Sequence, residues 1–480
     1  MAMEKNYDAV VVGAGPNGLA AAITLQRAGK STLLIEGSEE IGGGMRSKAL
    51  TLPGYVHDVC SAIHPMALAS PFFRSLPLSA HGLELIYPDI AAAHPLDKES
   101  AAVLFSDYAK TIQHLGQDAA VYRRLTSAVV ENWEALAQDT MGPLRFPKNP
   151  LRLAAFGLDA LQPATWIAKR FSTQRAKALW GGMAAHSIQP LSNFSTAAIG
   201  IVLSAVGHRY GWPIPKGGSQ SIAAALINYY KSLGGQVQTG FWLKDVRALP
   251  KHEVLLLDLT PKQILALTGV EWSVRYRKQL SSYQYGMGVF KVDWALSDPT
   301  PFKDAAASRA GTVHLGNTFA EIAENEWRTS KGQHVAQPFV LFSQPSLFDT
   351  ERSPAGKHTG WAYCHVPHGS TVDMRPAIEK QIERFAPGFK DTILATHTFN
   401  TRELEAYNPN YVGGDINGGL MNLAQLYTRP TWKLTPYRTS EKNIYICSSS
   451  TPPGGGVHGM CGFHAAKTAL SDHFNVSLSL

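Results

Sequence analysis

The chain has 480 residues, 45% of them hydrophobic and 10% aromatic, and carries a formal net charge of +7. That length exceeds one ordinary core and predicts two closely associated globular domains, while the longest apolar run, AAIGIVLSAVG at 197–207, falls short of the roughly 18 residues of a membrane span. Four widely spaced cysteines (Cys60, Cys364, Cys447, Cys461) with no CxxC argue against a disulfide framework, a zinc site and a redox dithiol, which makes a reducing cytosol the default compartment.

From the N-terminus the chain enters a strand almost at once, leaving no room for a signal peptide. YDAVVVGAGPNGLAAAITLQRAGKSTLLIE reads as strand, tight turn, helix, strand. Within the turn, Gly13 permits the sharp reversal, Gly15 lets backbone approach a pyrophosphate and Gly18 allows close helix packing. Ala14, Pro16 and Asn17 complete a phosphate cradle at a helix N-terminus, where free N–H groups and the macrodipole favour negative charge. Glu36 ends the second strand, placed to accept both ribose hydroxyls of a dinucleotide and to disfavour a 2′-phosphate, which makes NADP a poor fit.

A glycine-rich passage follows, GSEEIGGGMRSKALTLPGYVHDVCSAIHP, suited to backbone that runs close to a ligand. Residues 117–139 predict an amphipathic helix with Val121, Leu125, Ala128, Trp133 and Leu136 near one face. Between Leu144 and Trp180, seven basic residues (Arg145, Lys148, Arg152, Lys169, Arg170, Arg175, Lys177) stand against Asp159 alone, so this segment carries 7 − 1 = +6 of the total +7. Phe146, Leu151, Leu158 and Trp166 are interleaved with those charges, a composition for either a solvated helical lid or a peripheral membrane contact; no nucleic-acid motif accompanies it. WPIPKGGSQSIAAALINYYKSLGGQVQTG predicts a helix and a strand, and EVLLLDLTP a buried strand. GVFKVDWAL, PFVLFSQPSL, GWAYCHVP and ATHTFNTREL predict an antiparallel sheet, and the tail NIYICSSSTPPGGGVHGMCGFHAAKTAL returns to strand, glycine turn and helix.

The predicted fold is α/β: a Rossmann-like nucleotide domain of the glutathione-reductase type, discontinuous in sequence (1–78, 208–264, 439–480), with an inserted α+β substrate domain (79–207, 265–438) holding an antiparallel sheet and a helical lid. Taken together, VVVGAGPNGLAAA, IGGGMRS, GWPIPKGGSQSIAAAL, GVFKVDWAL and STPPGGGVHGM resemble the phytoene desaturase-like FAD-dependent oxidoreductases, a group with carotenoid desaturases and retinol saturase within the amine oxidase superfamily. The resemblance implies FAD with its ADP half on Gly13, Gly15, Gly18 and Glu36 and its flavin passing Gly43, Gly44 and Arg46. It further implies that Val246 contacts adenine through its backbone, and that a last helix starting near Gly455, Gly456 and Val457 points its N-terminus at the flavin. A region where some amine oxidases attach flavin through Cys, here NPNYVGGDINGG, has none, so FAD is expected to be noncovalent. With no second GxGxxG, oxygen or a quinone is the expected electron acceptor.

Lys291, in an otherwise apolar strand, resembles the lysine that anchors a water beside the flavin in amine oxidases; the alternative is an outward-facing residue of an alternating strand. His64 is a candidate proton acceptor, His365 and His368 weaker ones, and no metal site is expected. The leading reading is hydride transfer at a carbon–carbon bond of an apolar, isoprenoid or lipid-like substrate. Alternatives are amine oxidation, for which Trp432 and Tyr437 would supply an aromatic cage, a flavin-dependent isomerase, and a lipid carrier that has lost catalysis.

Overall fold

The structure, a computed structural model, describes residues 6–426 and 428–478. Five parallel strands form the first sheet in the order Ile444–Ile446, His252–Leu257, Tyr7–Val12, Thr32–Ile35, Gln236–Gln238. Their runs are apolar throughout because both faces are covered, as a parallel sheet requires. Ala9 and Val11 pack toward the helices Pro16–Arg27, Gln220–Ser232 and Met460–Phe474, whereas Val10, Val12 and Leu255 meet Ile264, Trp272 and Tyr276 on the other side. The strands come from three distant stretches of chain, and the first in sequence sits at the centre.

Seven strands make the second sheet, in the order Ile393–Phe399, Gly288–Leu296, His358–Val366, Val340–Ser343, Ala310–Leu315, Ile90–His94, Ala102–Phe105. All neighbours run antiparallel except Ala310–Leu315 beside Ile90–His94, which are parallel. One face, with Phe290, Val292, Trp294, Phe342 and Ala362, packs on Ile378, Ile382 and Phe385 of the helix Arg375–Phe385. Side chains alternate across the pleat, so Thr312, His314, Leu341, Trp361, Tyr363 and His365 share the opposite face.

Two sequence expectations change. ATHTFNTREL is strand only to Phe399: Asn400 accepts from the Arg402 and Glu403 N–H groups, Glu403 reaches back to the Asn400 N–H, and this capping box starts the helix Thr401–Tyr407. The basic segment folds as the helices Pro150–Ala160, Ala164–Ala168 and Gln174–Ala185, but its apolar residues do not all turn inward. Phe146 is 89% exposed, Leu151 86% and Leu158 75%, with Trp166 and Phe194 half exposed beside them.

Candidate functional site

At the carboxyl ends of the parallel strands, a cavity of about 600 Å³ runs from Gly13 and Gly15 to the side chains of the second sheet. The local reason is the glycine turn. Gly13 has φ +101°, which an L side chain rarely adopts, and a Cβ on Gly18 would lie 1.8 Å from the Gly13 carbonyl oxygen. The helix Pro16–Arg27 therefore starts close against its strand, with no side-chain cap and with Pro16 and Asn17 on the cavity wall. A Cβ on Gly43 would sit 3.0 Å from the Gly15 Cα, and one on Gly44 2.5 Å from the Tyr411 hydroxyl, so the second glycine loop also needs its missing side chains.

Glu36 lines this cavity, but its carboxylate is largely engaged. One oxygen accepts the Ala14 N–H at 2.7 Å, and the other accepts the Ser38 N–H at 3.0 Å and the Arg46 guanidinium at 3.2 Å. A carboxylate has about four acceptor sites; three are used, so one remains for a ribose hydroxyl rather than the two expected.

Three sequence expectations fail here for local reasons. Val246 does not line the cavity: Asp245 caps a short 3-10 turn there, and the Val246 N–H is taken by the Thr268 carbonyl, so Leu243 and Lys244 form the wall instead. The last helix starts at Met460, not near Gly455, and its first N–H donates to His458 Nδ1 at 3.0 Å. Gly456 and Val457 do line the cavity, as part of the preceding loop, but Gly455 does not. The close approach of this helix is to Pro16–Arg27: a Cβ on Gly462 would lie 1.8 Å from the Asn17 carbonyl.

Among the candidate catalytic residues, His64 is buried on the cavity wall. Its Nε2 is 2.8 Å from the Ser219 hydroxyl, its Nδ1 has no hydrogen-bond partner among the described residues, and burial pushes its pKa down to about 4, so the ring is neutral. Lys291 is neither outward-facing nor on the wall. All nine residues of its strand are buried, and its ammonium is bound to Asp293, which burial pushes up to about 6 against the pull of that same ammonium. His365 Nδ1 lies 2.7 Å from Glu326, and His368 Nδ1 2.9 Å from the Gly286 carbonyl. Among the described residues no cluster suited to a metal occurs. Trp432 is 73% exposed and Tyr437 is buried with its hydroxyl on the Pro452 carbonyl, so neither builds a cage at the cavity. Cys461 is buried with its thiol on the Thr451 and Gly454 carbonyls; Cys60 is the cysteine that the wall presents.

Sequence reasoning missed three features. Asp258, just past the strand His252–Leu257, puts a buried carboxyl beneath the glycine turn. The far end of the cavity is an apolar chamber of Ile188, Leu203, Trp212, Leu341, Trp361 and Tyr363. There His186 is the titratable imidazole of the wall, its Nε2 3.0 Å from His314 Nε2, and burial pushes its pKa down to about 3 while holding His314 well below the usual value. No spacing rule links a helix-terminal histidine to one on a distant strand.

These residues fit a flavin dinucleotide. The uncapped helix N-terminus and glycine loops offer backbone to phosphates, while Asn17 Oδ1 and His64 Nδ1 are buried polar atoms of wall residues without partners, as expected where a ligand supplies them.

Comparison with known proteins agrees. The sequence family described as an NAD(P)-binding Rossmann-like domain matches residues 11–76. A limonene dehydrogenase polypeptide of Castellaniella defragrans is 31% identical over 98% of this chain and 96% of its own. A lycopene-forming phytoene desaturase of a Paracoccus species is 24% identical over 97% of both chains. In fold, the chain is similar to putrescine oxidase, with a TM-score of 0.63 and 15% identity over 98% of this chain and 100% of that one. With its flavin cradle and full-length kinship to these dehydrogenases, the chain belongs to the phytoene desaturase-like FAD-dependent oxidoreductases of the amine oxidase superfamily.

Proposed function

We propose that the protein binds FAD noncovalently and transfers hydride at a carbon–carbon bond of an apolar, isoprenoid or lipid-like substrate, passing electrons to oxygen or a quinone. The observation that carries the reading is the continuity of one cavity from the glycine turn to an apolar chamber. When bound, FAD supplies the two-electron acceptor. The protein's part is to hold the dinucleotide on Gly13, Gly15, Gly18 and Glu36, to exclude water with Leu203, Trp212 and Leu341, and to take up the second hydrogen as a proton. Neutral His186 in the chamber, backed by His314, suits proton uptake better than His64, whose Nε2 is tied to Ser219.

The same cavity supports amine oxidation through one feature: Trp361 and Tyr363 stand with ring centroids 5.3 Å apart and planes at 88°, both on the wall. Against it, that strand presents no carboxylate to the chamber for an amine's charge.

Exposed Phe146, Leu151 and Leu158 among basic residues favour peripheral membrane contact over a solvated lid, consistent with a substrate delivered from lipid. Among the described residues no helix is long and apolar enough to cross a membrane.

The test is the visible spectrum of the full chain, followed by anaerobic addition of limonene, phytoene, putrescine or cyclohexylamine. The expected result is a yellow protein whose FAD is released by acid and whose visible band bleaches with a terpene. Bleaching by an amine alone would move the reaction to a carbon–nitrogen bond. Colourless protein that stays so after incubation with FAD would remove the flavin reading.

A further inference from the structure

The glycine turn is built on a carboxyl group that no cation neutralises. The Asp258 N–H donates to the Val12 carbonyl at 2.8 Å, so the residue continues the pairing of the two central strands and its side chain rises directly under the turn. Its Oδ2 accepts the Gly18 N–H at 2.9 Å, and Cβ atoms built on Gly15 and Gly18 would lie 3.1 and 3.2 Å from that oxygen. The residue is 8% exposed and lines the cavity.

The groups that face it offer no counter-charge. Glu36, on the neighbouring strand, adds a like charge; the Arg46 guanidinium lies on Glu36. Cys447 and Cys461, from the last strand and last helix, are thiols that burial holds up in the neutral form. Asn410 donates to the Asp258 main-chain carbonyl rather than to the carboxyl. Among the described residues Asp258 forms no ion pair.

A pyrophosphate brought to this turn places more negative charge beside that carboxyl, in a buried site where like charges are costly. Ionised Asp258 would repel the cofactor and also withhold the Gly18 N–H from it. Resting on the FAD reading above, we propose that Asp258 is a cofactor-positioning residue that works as a neutral carboxylic acid, donating its hydroxyl toward the phosphates, so that FAD binds with uptake of one proton. The free site is poised for this: burial, reinforced by Glu36 and opposed by the Gly18 N–H, pushes Asp258 up to about 7. Above that value an increasing fraction of the apoprotein must be protonated before FAD can enter, and the dissociation constant rises toward roughly tenfold per pH unit.

The experiment is titration of the FAD-stripped full chain with FAD, followed by flavin fluorescence between about pH 6 and pH 9, for wild type and Asp258→Asn. Asn has the same shape, keeps a donor and cannot ionise. The expected result is a wild-type dissociation constant that weakens by more than tenfold above neutrality, and an Asp258→Asn constant that is flat and tighter than wild type at the high end. Should Asn fail to fold, Asp258→Ala is expected to bind more weakly than wild type at low pH but with the same flat profile. Calorimetry at about pH 8 in two buffers of different ionisation enthalpy should register close to one proton taken up by wild type and none by the variant. A flat wild-type profile, or parallel slopes in wild type and Asn, overturns the proposal while leaving FAD binding intact. Failure of wild type to bind FAD at any pH overturns the flavin reading and this one with it.

Discussion

Substituting Glu36 by Gln tests how the adenosine end of the site is held. The carboxylate serves donors on both oxygens: the Ala14 N–H on one, the Ser38 N–H and Arg46 on the other. An amide of the same size has one acceptor oxygen, so in either orientation its NH2 faces a buried donor, leaving a group unsatisfied at about 1–3 kcal/mol. The larger effect is on Arg46, whose side chain is 4% exposed and which loses its counter-ion; breaking such a buried pair costs about 3–5 kcal/mol. Loss of one charge-assisted bond to a ribose hydroxyl adds about 1.5–3 kcal/mol against binding, or roughly 10- to 150-fold in the FAD dissociation constant. The assay pairs urea unfolding of the apoprotein with FAD titration, in Glu36→Gln and in Glu36→Gln/Arg46→Met. The double variant removes the stranded charge, so stability should recover by several kcal/mol while FAD affinity stays low. Recovery of wild-type affinity in the double variant would refute the reasoning, since Glu36 would then serve Arg46 and not the cofactor.

Lys291→Met should retain FAD but lose stability in a pH-dependent way. The folded state keeps Asp293 protonated to about pH 6, above its ordinary 3.8, so between those values stability falls as pH rises; without the ammonium the folded value climbs further, and the loss relative to wild type should be larger near pH 8 than near pH 5, reaching about 3 kcal/mol. The reverse ordering in urea titrations would separate Asp293 from Lys291. His186→Gln should leave FAD content unchanged and slow flavin reduction by a bleaching terpene on the order of 100-fold; an unchanged rate moves proton uptake elsewhere. Replacing Phe146, Leu151 and Leu158 by Ser should abolish sedimentation with anionic vesicles, whereas neutralising Arg145, Lys148 and Arg152 should weaken it by about 1 kcal/mol each, screened by salt. Absence of wild-type sedimentation at low salt leaves the exposed segment a lid.

Legibility in the sequence followed the range of the interaction. Gly13, Gly15, Gly18 and Glu36 are needed by a turn that closes within thirty residues, so their spacing carries the geometry. The apolar runs announced both sheets, yet not which faces were free: Lys291 reads as half of an alternating strand, and only the packing of both faces makes it a buried ion pair. Val246 misled because a valine in a loop signals little, while the Asp245 cap that turns it from the cavity is decided by local hydrogen bonds. Asp258 was invisible because its partner Gly18 lies 240 positions away, and one acid after an apolar strand reads as an ordinary turn. His186 and His314, 128 positions apart, fail to announce themselves for the same reason.

The central strand of the nucleotide sheet has a kinetic consequence during synthesis. Tyr7–Val12 emerges first, but its neighbour on one side is His252–Leu257, and the sheet closes only with Ile444–Ile446. At roughly 5–20 residues per second, the first strand waits on the order of half a minute to a minute and a half for that last partner. Through that interval an apolar strand, YDAVVV, stays partly unpaired beside the ribosome. Cofactor capture is therefore a late event that follows release of nearly the whole chain, and limited flavin supply during expression should appear as loss to aggregation and proteolysis before it appears as a population of well-folded apoprotein.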